Sequence, residues 1–203
     1  MSTAPALPNY RYVSRKRRTK EDRRFITGRG KYVADVDVPG MKHIAVLASP
    51  HPRANIVAID IDAAMAVTGV HYVLTGEEIA RETNSLFHGL DLPNVKWYPL
   101  AVNMTRYAGE WVAAVVADSR YVAEDAAELI QVDYEALPAA VDSEKMLEDG
   151  QPLVHPDHGS NVLFQNTWTW GPVEQDFGET PHKISYRARW GRSSTVPIET
   201  FGV

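Results

Sequence analysis

The sequence predicts an α+β fold, and three observations carry that expectation. Residues 111–135 read as strand, helix, strand in direct succession. Residues 43–48 and 55–62 have strand composition and flank the turn-prone Ser49-Pro50-His51-Pro52. Short helical turns follow the other strands, at 63–66 and 77–81.

The elements follow in order. Residues 1–20 contain Pro5, Pro8 and most of a basic block, Arg15 to Arg18 with Lys20, and show neither helical nor alternating periodicity. They read as a basic, extended arm. Gly28-Arg29-Gly30 reads as a turn into a strand at Tyr32, because position 33 is valine and a dinucleotide-binding glycine pattern is incomplete. After the 43–48 and 55–62 strands, residues 63–66 suit one helical turn before Gly69. Residues 70–75 form another strand and 77–81 a short helix. Residues 82–99 carry Asn84, Gly89, Pro93 and Asn94 and read as an irregular loop or lid, with Phe87, His88, Trp97 and Tyr98 on it.

Trp111 to Ala117 is a continuous valine- and alanine-rich run, too short for a helix and apolar enough to be buried on both faces. Asp118 or Ser119 caps the helix that follows. Its apolar positions Val122, Ala123, Ala126, Ala127, Leu129 and Ile130 fall at helical spacing, and Arg120 and Glu124 are placed to pair across one turn. Residues 131–135 return as a strand, with a right-handed crossover expected if both strands share a sheet. Residues 143–148 give a helical turn closed by Gly150, and 151–160 form a loop. Beyond it, 161–170 and 182–192 alternate in strand fashion around a helical segment at 173–177.

Composition limits what the chain does. Its 203 residues are 44% hydrophobic and 23% charged, as in an ordinary globular protein. No apolar run approaches the length of a membrane span, and the N-terminus lacks a charged-then-apolar leader pattern, so no membrane and a cytoplasmic location are expected. The formal net charge of −5 argues against nucleic acid as a partner; the basic block reads as a solvated arm or a dock for an acidic protein. The sequence has no cysteine, which excludes disulfides and the thiolates that an iron–sulfur cluster requires.

The motifs that carry chemistry are few. His155-Pro156-Asp157-His158 offers two imidazoles and a carboxylate, but the proline-bearing loop does not set both histidines on one helical face as a zinc motif does. No serine lies in a Gly-x-Ser-x-Gly setting. Glu110, beside Gly109 at the start of the buried strand, is the most informative carboxylate; it either accepts backbone N–H bonds and pairs with Arg106, which is favoured, or lies near a substrate. Trp168 and Trp170 share a strand face and stack on a ring or form core or interface, the latter favoured. Glu199 is a second carboxylate candidate, on the resemblance described next.

Several segments, in order, resemble one family. These are Gly28-Arg29-Gly30-Lys31-Tyr32, Asp35-Val36-Asp37-Val38-Pro39-Gly40, Ser49-Pro50-His51-Pro52-Arg53-Ala54 and Leu74-Thr75-Gly76. Gly109-Glu110, the exit Val132-Asp133-Tyr134-Glu135, Pro138-Ala139-Ala140-Val141-Asp142, Pro152-Leu153-Val154-His155 and Gly159-Ser160-Asn161-Val162 follow. The set is similar to the large subunit of the molybdenum hydroxylases, the family of xanthine dehydrogenase, aldehyde oxidase and aerobic carbon monoxide dehydrogenase. The match runs from about Arg18 to Val162 and more weakly beyond; the family usually has proline where Trp111 stands.

The resemblance implies an α/β hammerhead domain at 21–142, a linker at 143–160 and, at 161–203, the incomplete start of a molybdopterin-binding domain. The Pro197-Ile198-Glu199-Thr200 segment resembles the family's Pro-x-Glu-Thr segment near that domain's interior. The implied function is the structural N-terminal portion of the molybdenum subunit of a complex that hydroxylates an aldehyde or N-heterocycle, or oxidises carbon monoxide. In the family the molybdenum-pterin dinucleotide is held by residues that lie downstream of the match to Val203. No catalytic, cofactor-binding or metal residue is therefore assigned to this chain, which alone should be silent. The resemblance implies 2Fe-2S and FAD on other chains, and three partners: the chain with the rest of the molybdenum domain, an iron–sulfur subunit and an FAD subunit. The alternative reading is a non-catalytic assembly or ligand-binding module that reuses the hammerhead fold.

Overall fold

The computed structural model describes residues 19–86, 89, 92, 94–191, 199 and 202. Residues 1–18 of the 1–20 arm, Phe87 and His88, and most of the Pro197-Ile198-Glu199-Thr200 segment lie outside these residues. The chain divides into two compact units, one of residues 1–39 with 186–203 and one of residues 40–185.

In the first unit, α1 (Asp22–Ile26) is a single short helix with Glu21 and Arg24 paired on its flank. Gly28 turns the chain with φ +68, and Gly30 packs so closely under Phe25 that an added Cβ would sit 2.7 Å from its ring. Phe25 and Tyr32 stack at 5.8 Å. The strand expected at Tyr32 does not form; Tyr32 N–H donates to Asp35 Oδ2 at 3.0 Å, and a 3-10 turn follows at Val33–Asp35. A nearby carboxylate satisfying the backbone locally removes the need for a strand partner.

The second unit holds two antiparallel sheets. Its elements are β1 (His43–Ala48), β2 (Ala54–Asp60), α2 (Asp62–Met65), β3 (Val70–Thr75), α3 (Gly76–Glu82), β4 (Met104–Thr105), β5 (Trp111–Ala117), α4 (Arg120–Ala127), β6 (Gln131–Ala136) and α5 (Val173–Glu179). One sheet has the order β1-β5-β3 and the other β4-β2-β6. The central position of β5 is what its composition demands: Val112, Ala113 and Val115 are completely buried. α4 lies over one face, where Ala126, Ala127 and Ile130 pack with Ala113, Val115 and Val73. Alanines on α4 allow that close approach.

α4 begins as its sequence dictates. Ser119 has extended backbone geometry and its Oγ accepts the Val122 N–H at 3.2 Å, while Arg120 Nε and Glu124 Oε1 meet at 2.7 Å one turn apart. Thr75 caps α3 in the same manner, with Glu78 reaching back to the Thr75 N–H at 3.2 Å. Gly76 is required by space rather than by dihedral angle, since a Cβ there would lie 1.9 Å from the Ala101 carbonyl oxygen.

Two expectations are corrected. β5 and β6 do not share a sheet, so no crossover exists between them. β5 already has β1 on one edge and β3 on the other; β6 instead pairs with β2, helped by Asn55 Nδ2 donating to Glu135 Oε2 at 2.8 Å. Neither 161–170 nor the described part of 182–192 is a strand. Their side chains alternate, but among the described residues no strand offers them a ladder, and Trp168 and Trp170 stand 70% and 78% exposed. The helical segment at 173–177 is present as α5.

Candidate functional site

Of the candidate residues, Glu110 lines a groove of about 1040 Å³ in the second unit. Three stretches wall it: the end of the loop after α3, with Lys96, Trp97 and Tyr98; the 100–110 segment leading into β5; and the Val154 to Asp157 turn. Each is positioned by contacts readable in the chain.

Glu110 is fixed by backbone. Gly109, at φ +92, adopts a conformation that side chains resist, its N–H donates to Ser49 O at 2.8 Å, and Ser49 N–H returns a bond to Glu110 O at 2.8 Å. The carboxylate of Glu110 then accepts the Arg106 backbone N–H and lies 3.6 Å from Arg106 Nη1. Arg106 Nη1 also donates to Met104 O at 3.2 Å, while Arg106 Nε is buried with no acceptor among the described residues. With its oxygens engaged, Glu110 serves the groove as an anchor for its own loop rather than as a free base. Tyr107 stands beside it; burial first, and the Glu110 charge second, push its phenol up.

His155 supplies the other wall. Its ring is tilted against Trp97 with centroids 6.5 Å apart, and burial, followed by the Arg106 and His158 charges, holds its imidazole below the ordinary value and therefore neutral near pH 7. His158 instead donates from Nε2 to Val162 O at 3.2 Å, across a 3-10 turn at Pro156–His158 closed by Gly159 in the left-handed region. Among the described residues no group of three or more His, Cys, Asp or Glu is placed to hold a metal ion.

The turn itself is held by two residues to which the sequence reading gave no site role. Arg53, only 8% exposed, donates from Nη1 to Pro138 O at 3.1 Å and from Nη2 to Leu153 O at 2.9 Å. Asn161 accepts the Val154 N–H at 2.9 Å and donates to Met146 O and Pro152 O, each at 3.0 Å. Both sit in motifs quoted above, Ser49 to Ala54 and Gly159 to Val162, and that membership was the available signal. Trp168 and Trp170 do not line the groove. Glu199 lies in the other unit, where its Oε1 accepts the Val33 N–H at 3.1 Å.

The family profile described as "Aldehyde oxidase and xanthine dehydrogenase, a/b hammerhead domain" matches residues 27–138. The chain belongs to this family. The hammerhead match covers every strand of both sheets, so the fold expected from the motifs is the one present. Within the family the chain is 35% identical, over 187 residues, to the nicotine 6-hydroxylase large subunit of Paenarthrobacter nicotinovorans, a match covering 90% of this chain and 22% of that protein. It is similar to the quinoline 2-oxidoreductase of Pseudomonas putida 86 at 37% identity and a TM-score of 0.70, over 80% of this chain and 21% of that one. A Cu,Mo-CO dehydrogenase structure matches at 38% identity and a TM-score of 0.58, over 68% of this chain and 17% of that one. The chain thus spans about a fifth of the length of these relatives.

Proposed function

We propose that this chain supplies the hammerhead portion of the molybdenum-containing subunit of a multi-subunit molybdenum hydroxylase. The reading is carried by one observation: 35% identity over 90% of the chain to a named hydroxylase large subunit, of which it represents 22%. The reaction of the whole is oxidative hydroxylation of an aldehyde or N-heterocycle, or oxidation of carbon monoxide, with electrons passing to 2Fe-2S and FAD. Residues 21–142 form the scaffold, 143–160 link it onward, and 161–203 join the molybdenum domain. The partners are a chain or region carrying the rest of that domain, an iron–sulfur subunit and an FAD subunit, and a cytoplasmic location accompanies them. Among the described residues no helix is long and apolar enough to cross a membrane.

The chain's own residues do not fit a 2Fe-2S cluster. A 2Fe-2S cluster takes thiolates, and the sequence has none to give. No described constellation of His, Asp and Glu is built for a metal, so no chemical step is assigned to any residue here. Glu110, Trp168, Trp170 and Glu199 remain, in this reading, contacts to substrate or to neighbouring polypeptide.

The test is gentle affinity purification of the tagged chain from its native host, with mass spectrometry of associated proteins and analysis for molybdenum and iron. Recovery of large-subunit, iron–sulfur and flavin polypeptides with both metals is the expected result. A solitary chain without metals overturns it.

A further inference from the structure

The β1-β5-β3 sheet has two apolar faces, and only one is fully covered. Side chains alternate across a strand, and Ala45, Leu47, Val73, Ala113 and Val115 face α4 and α2. Their neighbours Ile44, Val46, Tyr72, Leu74, Ala114 and Val116 face the other way. The register aligns them in two rows, Ile44–Val116–Tyr72 and Val46–Ala114–Leu74. Toward Val112 this second face is shielded, with Val112 completely buried and Ala114 only 7% exposed; the neighbouring Leu100 and Ala101 are buried too, and the Ala101 N–H donates to Trp111 O at 2.7 Å. At the opposite end nothing comparable covers it among the described residues: Ile44 is 52% exposed and Tyr72 49% exposed.

An antiparallel sheet that ends at solvent ordinarily carries polar residues on its outer face. In these two rows the polar group is the Tyr72 phenol, whose OH donates to Glu78 Oε1 at 3.4 Å, and the other five side chains are aliphatic. The charges at its open end are spent on one another, since Asp118 Oδ1 accepts from Lys42 Nζ at 2.5 Å and lies 2.7 Å from His71 Nε2. Such a rim demands no countercharge from whatever covers the face. The share of each relative that this chain represents, 22% and 21%, leaves about four-fifths of a large-subunit polypeptide to be accommodated against it.

We propose that the outer face of the β1-β5-β3 sheet is a docking surface for the remaining large-subunit polypeptide, which lays an apolar segment over Ile44, Val116 and Tyr72. The proposal rests on the functional reading above. The occupant is polypeptide whether continuous with this chain or separate from it, and its contacting residues are aliphatic or aromatic rather than charged.

The absence of cysteine from the sequence makes the test clean. Ile44→Cys, Tyr72→Cys and, as control, Tyr121→Cys on the exposed side of α4 are introduced singly into the tagged chain. The assembly is purified from the native host and labelled with a maleimide, each rate normalised to that in urea. Positions 44 and 72 are expected to label at least about tenfold more slowly than 121, because an interface core excludes solvent and a thiol must be reached to react. Equal rates at all three positions, in material that contains the large-subunit polypeptide, overturn the proposal and leave the functional reading standing. A disulfide between two tagged copies through position 44 assigns the face to a second copy and overturns it as well. Absence of any large-subunit polypeptide from the purified material overturns both.

Discussion

Replacing Arg53 by alanine tests whether a buried cation holds the groove's far wall in place. The guanidinium donates to Pro138 O and Leu153 O at 3.1 and 2.9 Å. Bonds from a charged donor contribute about 1.5–3 kcal/mol each, so the two amount to about 3–6 kcal/mol. Against this stands Nε, buried without an acceptor at a cost of about 1–3 kcal/mol, which the substitution relieves. The difference spans about 0–5 kcal/mol and centres on about 2.5 kcal/mol, the loss expected here and read as a lower urea midpoint. It should be concentrated in the 138–158 segment, so amide exchange at Val154 and protease cleavage within 138–152 should rise more than exchange in β5. Arg53→Lys reaches one carbonyl at most and should fall between. A loss under about 0.5 kcal/mol, with exchange at 154–158 unchanged, would refute the clamp and leave Arg53 as packing only.

Other perturbations have equally definite outcomes. Gly76→Ala sets a Cβ 1.9 Å from a backbone oxygen, so the loss should reach the upper end of overpacking costs, about 3 kcal/mol, whereas Gly109→Ala, with φ +92 and open space, should cost about 1–2 kcal/mol; thermal melts of both rank them. Ser119→Ala removes the acceptor for the Val122 N–H and should cost about 1 kcal/mol in urea, with Ser119→Asp restoring it. The Asp118 carboxyl is held at about 2, from an ordinary 3.8, first by the Lys42 hydrogen bond and then by His71. Because the folded value is the lower one, its contribution is complete above pH 3.8 and is lost as pH falls through about 2; carboxyl NMR should show that midpoint, and Lys42→Met should move it up.

The strands and caps of the hammerhead were legible because their signals are local. Trp111 to Ala117 is apolar at every position, and Ser119 precedes a helical period, so β5 and the start of α4 are written in adjacent residues. Partner choice is not local. The apolar period of β5 and β6 says that each has a buried face but not that β1 and β3 will occupy both edges of β5 and send β6 to β2. Alternation likewise marked 161–170 as extended without supplying a neighbour for it. β4 is two residues long and carries no period to read. At the groove, Glu110 stood out through its place beside Gly109, and its pairing with Arg106 followed from their spacing. Arg53 did not stand out, because arginine is ordinarily exposed and only the fold brings Pro138 and Leu153 around it.

The two sheets are interleaved along the chain, and this dictates an order of assembly. β2 emerges early but finds its long partner only in β6, the Asn55–Glu135 contact closing a loop of 80 residues. β1 and β3 likewise wait for β5. A ribosome must therefore deliver the chain past Ala117 before β1 and β3 can be locked and past Ala136 before β2 can, and until β5 emerges the apolar strands His43–Ala48 and Val70–Thr75 stay available to chaperones or to one another. A shortened version that ends between β5 and β6 forfeits the β2–β6 pairing alone, whereas one that ends ahead of β5 forfeits pairings in both sheets.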